Sequence, residues 1–111
     1  MVGRPYRYGG ATPAGFDCSG LVHYSYRQSG AVVPRDTEAQ RLASTAVARA
    51  DLRRGDLIFF DQEGKKSNHV GIYQGDGTFV HAPSSGKTVR RDRLDSPYWR
   101  QHISETRRLG L

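Results

Sequence analysis

The chain has 111 residues, of which 36% are hydrophobic and 25% charged, and a formal net charge of +6. This length holds one domain with a modest core, and the composition lies outside the disordered range. No apolar run approaches the ~20 residues that a bilayer-spanning helix needs, so no transmembrane segment is expected.

Six Tyr, four Phe and one Trp supply bulk for that core. The stretch from Gly3 to Phe16 is rich in glycine and proline and reads as ordered loop or short extended structure. Asp17 is a good N-cap, and a helix is expected over Cys18 to Ser29, stopped by Gly30. Ala31-Val32-Val33-Pro34 reads as a short extended link. Thr37-Glu38-Ala39-Gln40 has the form of a capping box and opens a second helix over about Thr37 to Ala43. The second half turns to strands: Asp56 to Asp61, His69 to Gln74, Thr78 to Ala82 and a fourth candidate over Thr88 to Arg91. Gly75-Asp76-Gly77 marks a hairpin between the second and third. Helices followed by strands predict an α+β domain with N-terminal helices packed on an antiparallel sheet.

Cys18 is the only cysteine, so it can form no internal disulfide and cannot build a cysteine-rich zinc site. At a helix start it would feel the positive end of the helix dipole, which lowers a thiol pKa. His69 and His81 are candidates for the base and for the group that orients it. A three-residue Gly75-Asp76-Gly77 loop would put both on one face, with His81 opposite Gly71 and diagonal to His69. A two-residue Asp76-Gly77 turn would put them on opposite faces. That histidine face is expected to meet the helix that begins at Cys18, with Val70, Ile72 and Val80 on the other. Read from the residues alone, Cys18 fits a buried structural thiol as well as a nucleophile.

Six segments then occur in a fixed order: Tyr6-Arg7-Tyr8-Gly9-Gly10, Phe16-Asp17-Cys18-Ser19-Gly20, Pro34-Arg35-Asp36-Thr37, Arg54-Gly55-Asp56-Leu57, His69-Val70-Gly71-Ile72-Tyr73 and His81-Ala82. Over about Tyr6 to Trp99 the chain resembles the NlpC-type family of bacterial cell-wall cysteine peptidases, which are papain-like in fold. The resemblance implies an endopeptidase acting on peptidoglycan stem peptides, often at the bond between γ-D-glutamyl and meso-diaminopimelate. It makes Cys18 the nucleophile, His69 the general base and His81 the orienting third residue. It places Tyr6 beside the oxyanion region, where an ordinary packing tyrosine is the alternative. Asp17 then has two readings, helix cap or partner for a substrate ammonium. Ser19 would line the same pocket or serve local capping, and Arg35 would meet a substrate carboxylate or form a structural ion pair.

The remaining features carry structural readings. His23 and His102 are expected to be structural or solvated, Tyr98 and Trp99 to anchor the C-terminal tail, and Arg90-Arg91-Asp92-Arg93 to be a solvated strand edge. No cofactor and no metal are expected, since catalytic zinc wants three protein ligands and the resemblance supplies no such set. The cationic surface suits the anionic cell wall, and without a regular arginine–aromatic pattern nucleic acid is not an expected partner. The first motif begins at Tyr6, so residues 1–111 are expected to be a single catalytic domain, monomeric, from a longer secreted or envelope-anchored protein. Two other functions fit the same residues: an acyltransferase or amidase on this scaffold, and a cell-wall binding module without turnover.

Overall fold

The structure is a computed structural model that describes residues 11–12, 15–62, 64–82 and 89–110. Two short strands, β1 (Ala11–Thr12) and β2 (Gly15–Phe16), pair with each other. They lead into α1 (Cys18–Gln28), then α2 (Thr37–Leu42), β3 (Ser44–Ala46) and a single 3-10 turn at Arg49–Asp51. Next come β4 (Leu57–Gln62), β5 (Lys65–Gly75), β6 (Thr78–His81), β7 (Arg90–Arg93), α3 (Pro97–His102) and β8 (Ile103–Leu109). Six of the strands form one antiparallel sheet in the order β3-β8-β4-β5-β6-β7. This is the expected α+β architecture, with one addition: the last strand, β8, inserts between β3 and β4. Among the described residues, no helix is long and apolar enough to cross a membrane.

The caps explain where the helices begin. Asp17 accepts a hydrogen bond from the Gly20 amide at 2.7 Å and caps α1. The helix ends before Gly30, whose φ of +88° is easy for glycine alone. In α2 the cap is Asp36, which accepts from the Ala39 amide at 2.8 Å, and not Thr37 as the capping-box pattern suggested. The shift of one residue has a consequence at the site. It leaves the Thr37 hydroxyl and the Gln40 amide free to bond elsewhere.

Alternation along the strands sorts the core into two layers. Leu57 pairs with Ile72 and Phe59 with Val70, so these four share a face. They pack with Val22, Val33 and Leu109, and Cys18 and Tyr26 close the cluster. Val80, Ala82 and Val89 extend this layer under Leu21 of α1. On the opposite face Ile58, Phe60 and Phe79 pack with Tyr73, Leu94, Trp99 and Ile103. Phe60 pairs with His69, which puts the histidine on this second face.

That arrangement corrects one expectation. The helix beginning at Cys18 covers Val70 and Ile72, not the histidines. The reason is simple: an amphipathic helix buries its apolar stripe on the apolar side of a strand, and His69 must then point the other way. The hairpin also differs in route but not in outcome. Its turn is the two-residue Asp76-Gly77, with φ of +53° and +76°, and a register shift between Tyr73 and Gly75 adds one residue to β5. The bulge restores the face that the shorter turn would have reversed, so Ile72 faces Val80, Tyr73 faces Phe79, and His69 and His81 share a side.

Candidate active site

Cys18 opens α1 and is half-buried, with its Sγ 3.6 Å from Thr37 Oγ1. The backbone amide of Val70 also faces the sulfur, so Cys18 abuts β5 at the residue after His69. Burial pushes the Cys18 thiol above its ordinary range, and neighbouring Asp17 pushes the same way. The Thr37 hydroxyl and the Val70 and Ser19 amides oppose them without prevailing. The expected lowering by the helix terminus is therefore overcome by desolvation, and the thiol is neutral near pH 7. No hydrogen bond joins Cys18 to His69 among the described residues.

His69 is held by an irregular but well-bonded start to β5. The ladder between β4 and β5 shifts register after Phe60, and side chains replace the missing backbone partners. Asn68 Oδ1 accepts from the Gln62 amide at 2.9 Å, and Asp61 Oδ1 accepts from the Ser67 amide at 2.7 Å. Ser67 itself takes a positive φ of 49°. These bonds fix the strand just before His69, whose Nε2 lies 2.8 Å from Nδ1 of His81.

His81 is fully buried, and its Nε2 sits 2.7 Å from Asp92 Oδ2 on β7. Arg90 donates to the other carboxylate oxygen at 3.0 Å. Gly71, the residue across from His81, leaves room for this packing. A Cβ there would lie 2.7 Å from Phe79 Cδ2 and 3.3 Å from His81 Cβ. Trp99 of α3 roofs the pair: its ring stacks on His69 at 5.8 Å with 24° between planes, and meets His81 edge-on at 4.8 Å. Enclosure pushes the His69 imidazole down to about 3, chiefly by desolvation and secondarily by its neighbour His81. Desolvation also lowers His81, against the opposing pull of Asp92. Both imidazoles are therefore neutral near pH 7.

The other sequence candidates fall on the Cys18 side. Asp17, besides capping α1, accepts from Arg35 Nη2 at 3.1 Å, and Arg35 Nη1 donates to Ser19 Oγ at 3.1 Å. The structure thus draws Asp17, Ser19 and Arg35 into one ion-paired cluster beside the thiol. Arg35 has the structural ion pair that was one of its two readings. Tyr6 lies outside the described residues.

Three contributors escaped the sequence reading. Asp92 is the lone acid in a run of arginines, and only the pairing of Phe79 with Asp92 and of His81 with Arg90 reveals that it shares their face. Trp99 looked like a tail anchor. Gln40, fully buried, donates from Nε2 to the carbonyls of Ser19 at 2.9 Å and Pro34 at 2.8 Å, tying the residue after Cys18 to the loop before Arg35. Among the described residues, no group of three His, Cys, Asp or Glu side chains is placed to hold a metal ion.

A cysteine at the head of a helix, set against an antiparallel sheet that carries a hydrogen-bonded histidine pair, is the framework of the papain-like cysteine peptidases. Within that class the chain belongs to the NlpC/P60 family, whose model matches residues 3–108. It is 43% identical to the probable endopeptidase YafL of Escherichia coli (strain K12), an alignment covering 98% of this chain and 46% of that protein. It is 40% identical to the murein DD-endopeptidase MepH of the same organism, over 98% of this chain and 42% of that protein. The chain thus spans less than half the length of these two curated relatives. Among solved structures, it superposes on the NlpC/p60 domain of the peptidoglycan hydrolase SagA with a TM-score of 0.81 at 33% identity, covering 97% of this chain and 89% of that one. A Staphylococcus aureus protein of the NLP/P60 family, described as similar to lipoprotein, gives a TM-score of 0.87 at 37% identity, over 97% of this chain and 37% of its own length.

Proposed function

We propose that this domain is a cysteine endopeptidase that hydrolyses amide bonds in peptidoglycan stem peptides, with γ-D-glutamyl–meso-diaminopimelate as the favoured bond. The observation that carries the reading is the buried His69–His81 hydrogen bond at the strand position whose next residue abuts Cys18. Relatives named murein endopeptidases and peptidoglycan hydrolases support the substrate class.

In this mechanism the substrate carbonyl enters at the start of α1. Sγ attacks the carbonyl carbon where α1 abuts β5, and the thiol proton passes to the His69 imidazole, one residue before that contact. A neutral imidazole is the form that can accept it. The tetrahedral oxyanion collapses and expels the amine, which takes the proton from His69 and leaves a thioester on Cys18. Water then attacks the thioester, again losing a proton to His69, and the carboxylic acid and free thiol are released. The Cys18 amide at the helix terminus and Tyr6 are the donors we assign to the oxyanion. Asp17, with Ser19 and Arg35 around it, offers a carboxylate for a stem-peptide ammonium and a guanidinium for a carboxylate. The +6 charge favours retention near the anionic wall, in the envelope or outside the cell, with the domain acting as a monomer.

The test is mass spectrometry of defined muropeptides, with and without a diaminopimelate stem, after incubation with the parent domain and with Cys18→Ala. The parent is expected to cut and the variant not, and the fragment masses name the bond. Transfer to an acceptor amine in place of water would shift the reading to an acyltransferase. Binding without turnover by either protein would leave a wall-binding module.

A further inference from the structure

The site contains a charged group beyond the three residues assigned to proton transfer and orientation. Resting on the peptidase reading above, we propose that Asp92 is a positioning residue that sets the tautomers of both histidines, so that His69 presents an unprotonated Nδ1 as the proton acceptor.

The argument follows the hydrogen bonds in order. Asp92 Oδ2 lies 2.7 Å from His81 Nε2, and a carboxylate can only accept. The proton of a neutral His81 is therefore on Nε2, and its Nδ1 holds a lone pair. That Nδ1 lies 2.8 Å from His69 Nε2, so the proton of His69 must be on Nε2. Nδ1 of His69 is then the basic nitrogen. Each ring is fixed by the partner of its other nitrogen, as in any imidazole held from behind. Without Asp92 the chain has no fixed end: both rings can exchange tautomers together, and half of the resulting arrangements put N–H where the base is needed. The surroundings support the assignment. Arg90 bonds Oδ1 of Asp92 at 3.0 Å and leaves Oδ2 for His81, while Phe79 and Trp99 enclose the imidazole and exclude competing water.

The test uses the 111-residue domain labelled with 15N in its histidines, as parent, Asp92→Ala and Asp92→Glu. Long-range proton–nitrogen correlations at pH 7 report which ring nitrogen carries hydrogen. The parent is expected to show Nε2–H at both His69 and His81, the Ala variant a mixture at both, and the Glu variant a return toward the parent pattern. In kinetics on a diaminopimelate stem peptide, Asp92→Ala is expected to lower kcat about ten- to a hundred-fold with KM unchanged. Nδ1–H at His69 in the parent, which requires no variant to fold, overturns the proposal. Unchanged tautomers in a folded Ala variant overturn it as well. Absence of thiol-dependent cleavage by the parent refutes the peptidase reading instead, and the tautomer result stands apart from it.

Discussion

Acid should destabilise this domain through its histidine pair, beginning above the range where carboxylates titrate. His69 is 3% exposed, and enclosure by Phe60, Trp99 and His81 brings its pKa from 6.5 down to about 3. A histidine with a folded pKa below its unfolded one contributes stability that is complete above the unfolded pKa. That contribution is lost as pH falls toward the folded value, because the unfolded chain takes the proton first. Each pH unit in that window is tenfold in the folding equilibrium, so His69 alone removes about 2 kcal/mol between pH 7 and pH 5. His81 is lowered too and adds in the same direction. Against a domain stability of about 5–15 kcal/mol this is a large share. The assay is urea unfolding at pH 7, 6 and 5, followed by fluorescence of Trp99, the only tryptophan and a direct neighbour of both rings. The parent should lose stability steeply across this range, and His69→Gln should lose about 2 kcal/mol less. Equal pH slopes for parent and variant would refute the claim that His69 is held neutral by burial.

Three further perturbations separate the parts of the site. Gly71→Ala forces a methyl to within 2.7 Å of Phe79 Cδ2, so it should cost about 1–3 kcal/mol by urea unfolding and push His81 away from His69, lowering kcat. Trp99→Ala admits water over the pair; the imidazole proton resonances of His69 and His81 should then titrate at higher pH than in the parent, with a loss of stability from the broken Phe60 and Phe79 ring contacts. Thr37→Val removes the hydroxyl at Cys18 Sγ, one of the groups that lower its pKa, so alkylation by iodoacetamide should shift to higher pH.

The elements that were legible in the sequence are those with local signals. Asp17 and Gly30 bracket α1 to within a residue or two of where it forms, and the Gly75-Asp76-Gly77 segment sits at its hairpin. What local signals do not contain is partnership across the chain. β8 reads as Ile-Ser-Glu-Thr-Arg-Arg-Leu, too polar to suggest an interior strand, yet it lies between β3 and β4, where Arg107 donates to the Ser44 carbonyl of β3 and Arg108 to the Asp56 carboxylate just before β4. Which face of the sheet receives α1 likewise emerges only once the sheet is assembled, since both faces carry an apolar cluster. Asp92 was invisible for the same reason: one acid among arginines becomes a partner of His81 only when β7 pairs with β6 in register. The cap at Asp36 in place of Thr37 is a smaller case, where two adjacent good N-caps compete and the winner frees a hydroxyl for the thiol.

The central claim is that Cys18 attacks a stem-peptide carbonyl with His69 as its base. The most direct measurement is the intact mass of the domain, acid-quenched within milliseconds of mixing with a diaminopimelate-containing stem peptide, for the parent, Cys18→Ala and His69→Ala. The account predicts a transient adduct on the parent equal in mass to the acyl half of the substrate, mapped to Cys18 and decaying as product appears, and no adduct on either variant. Product formation by Cys18→Ala, or an acyl adduct on any residue other than Cys18, would contradict it.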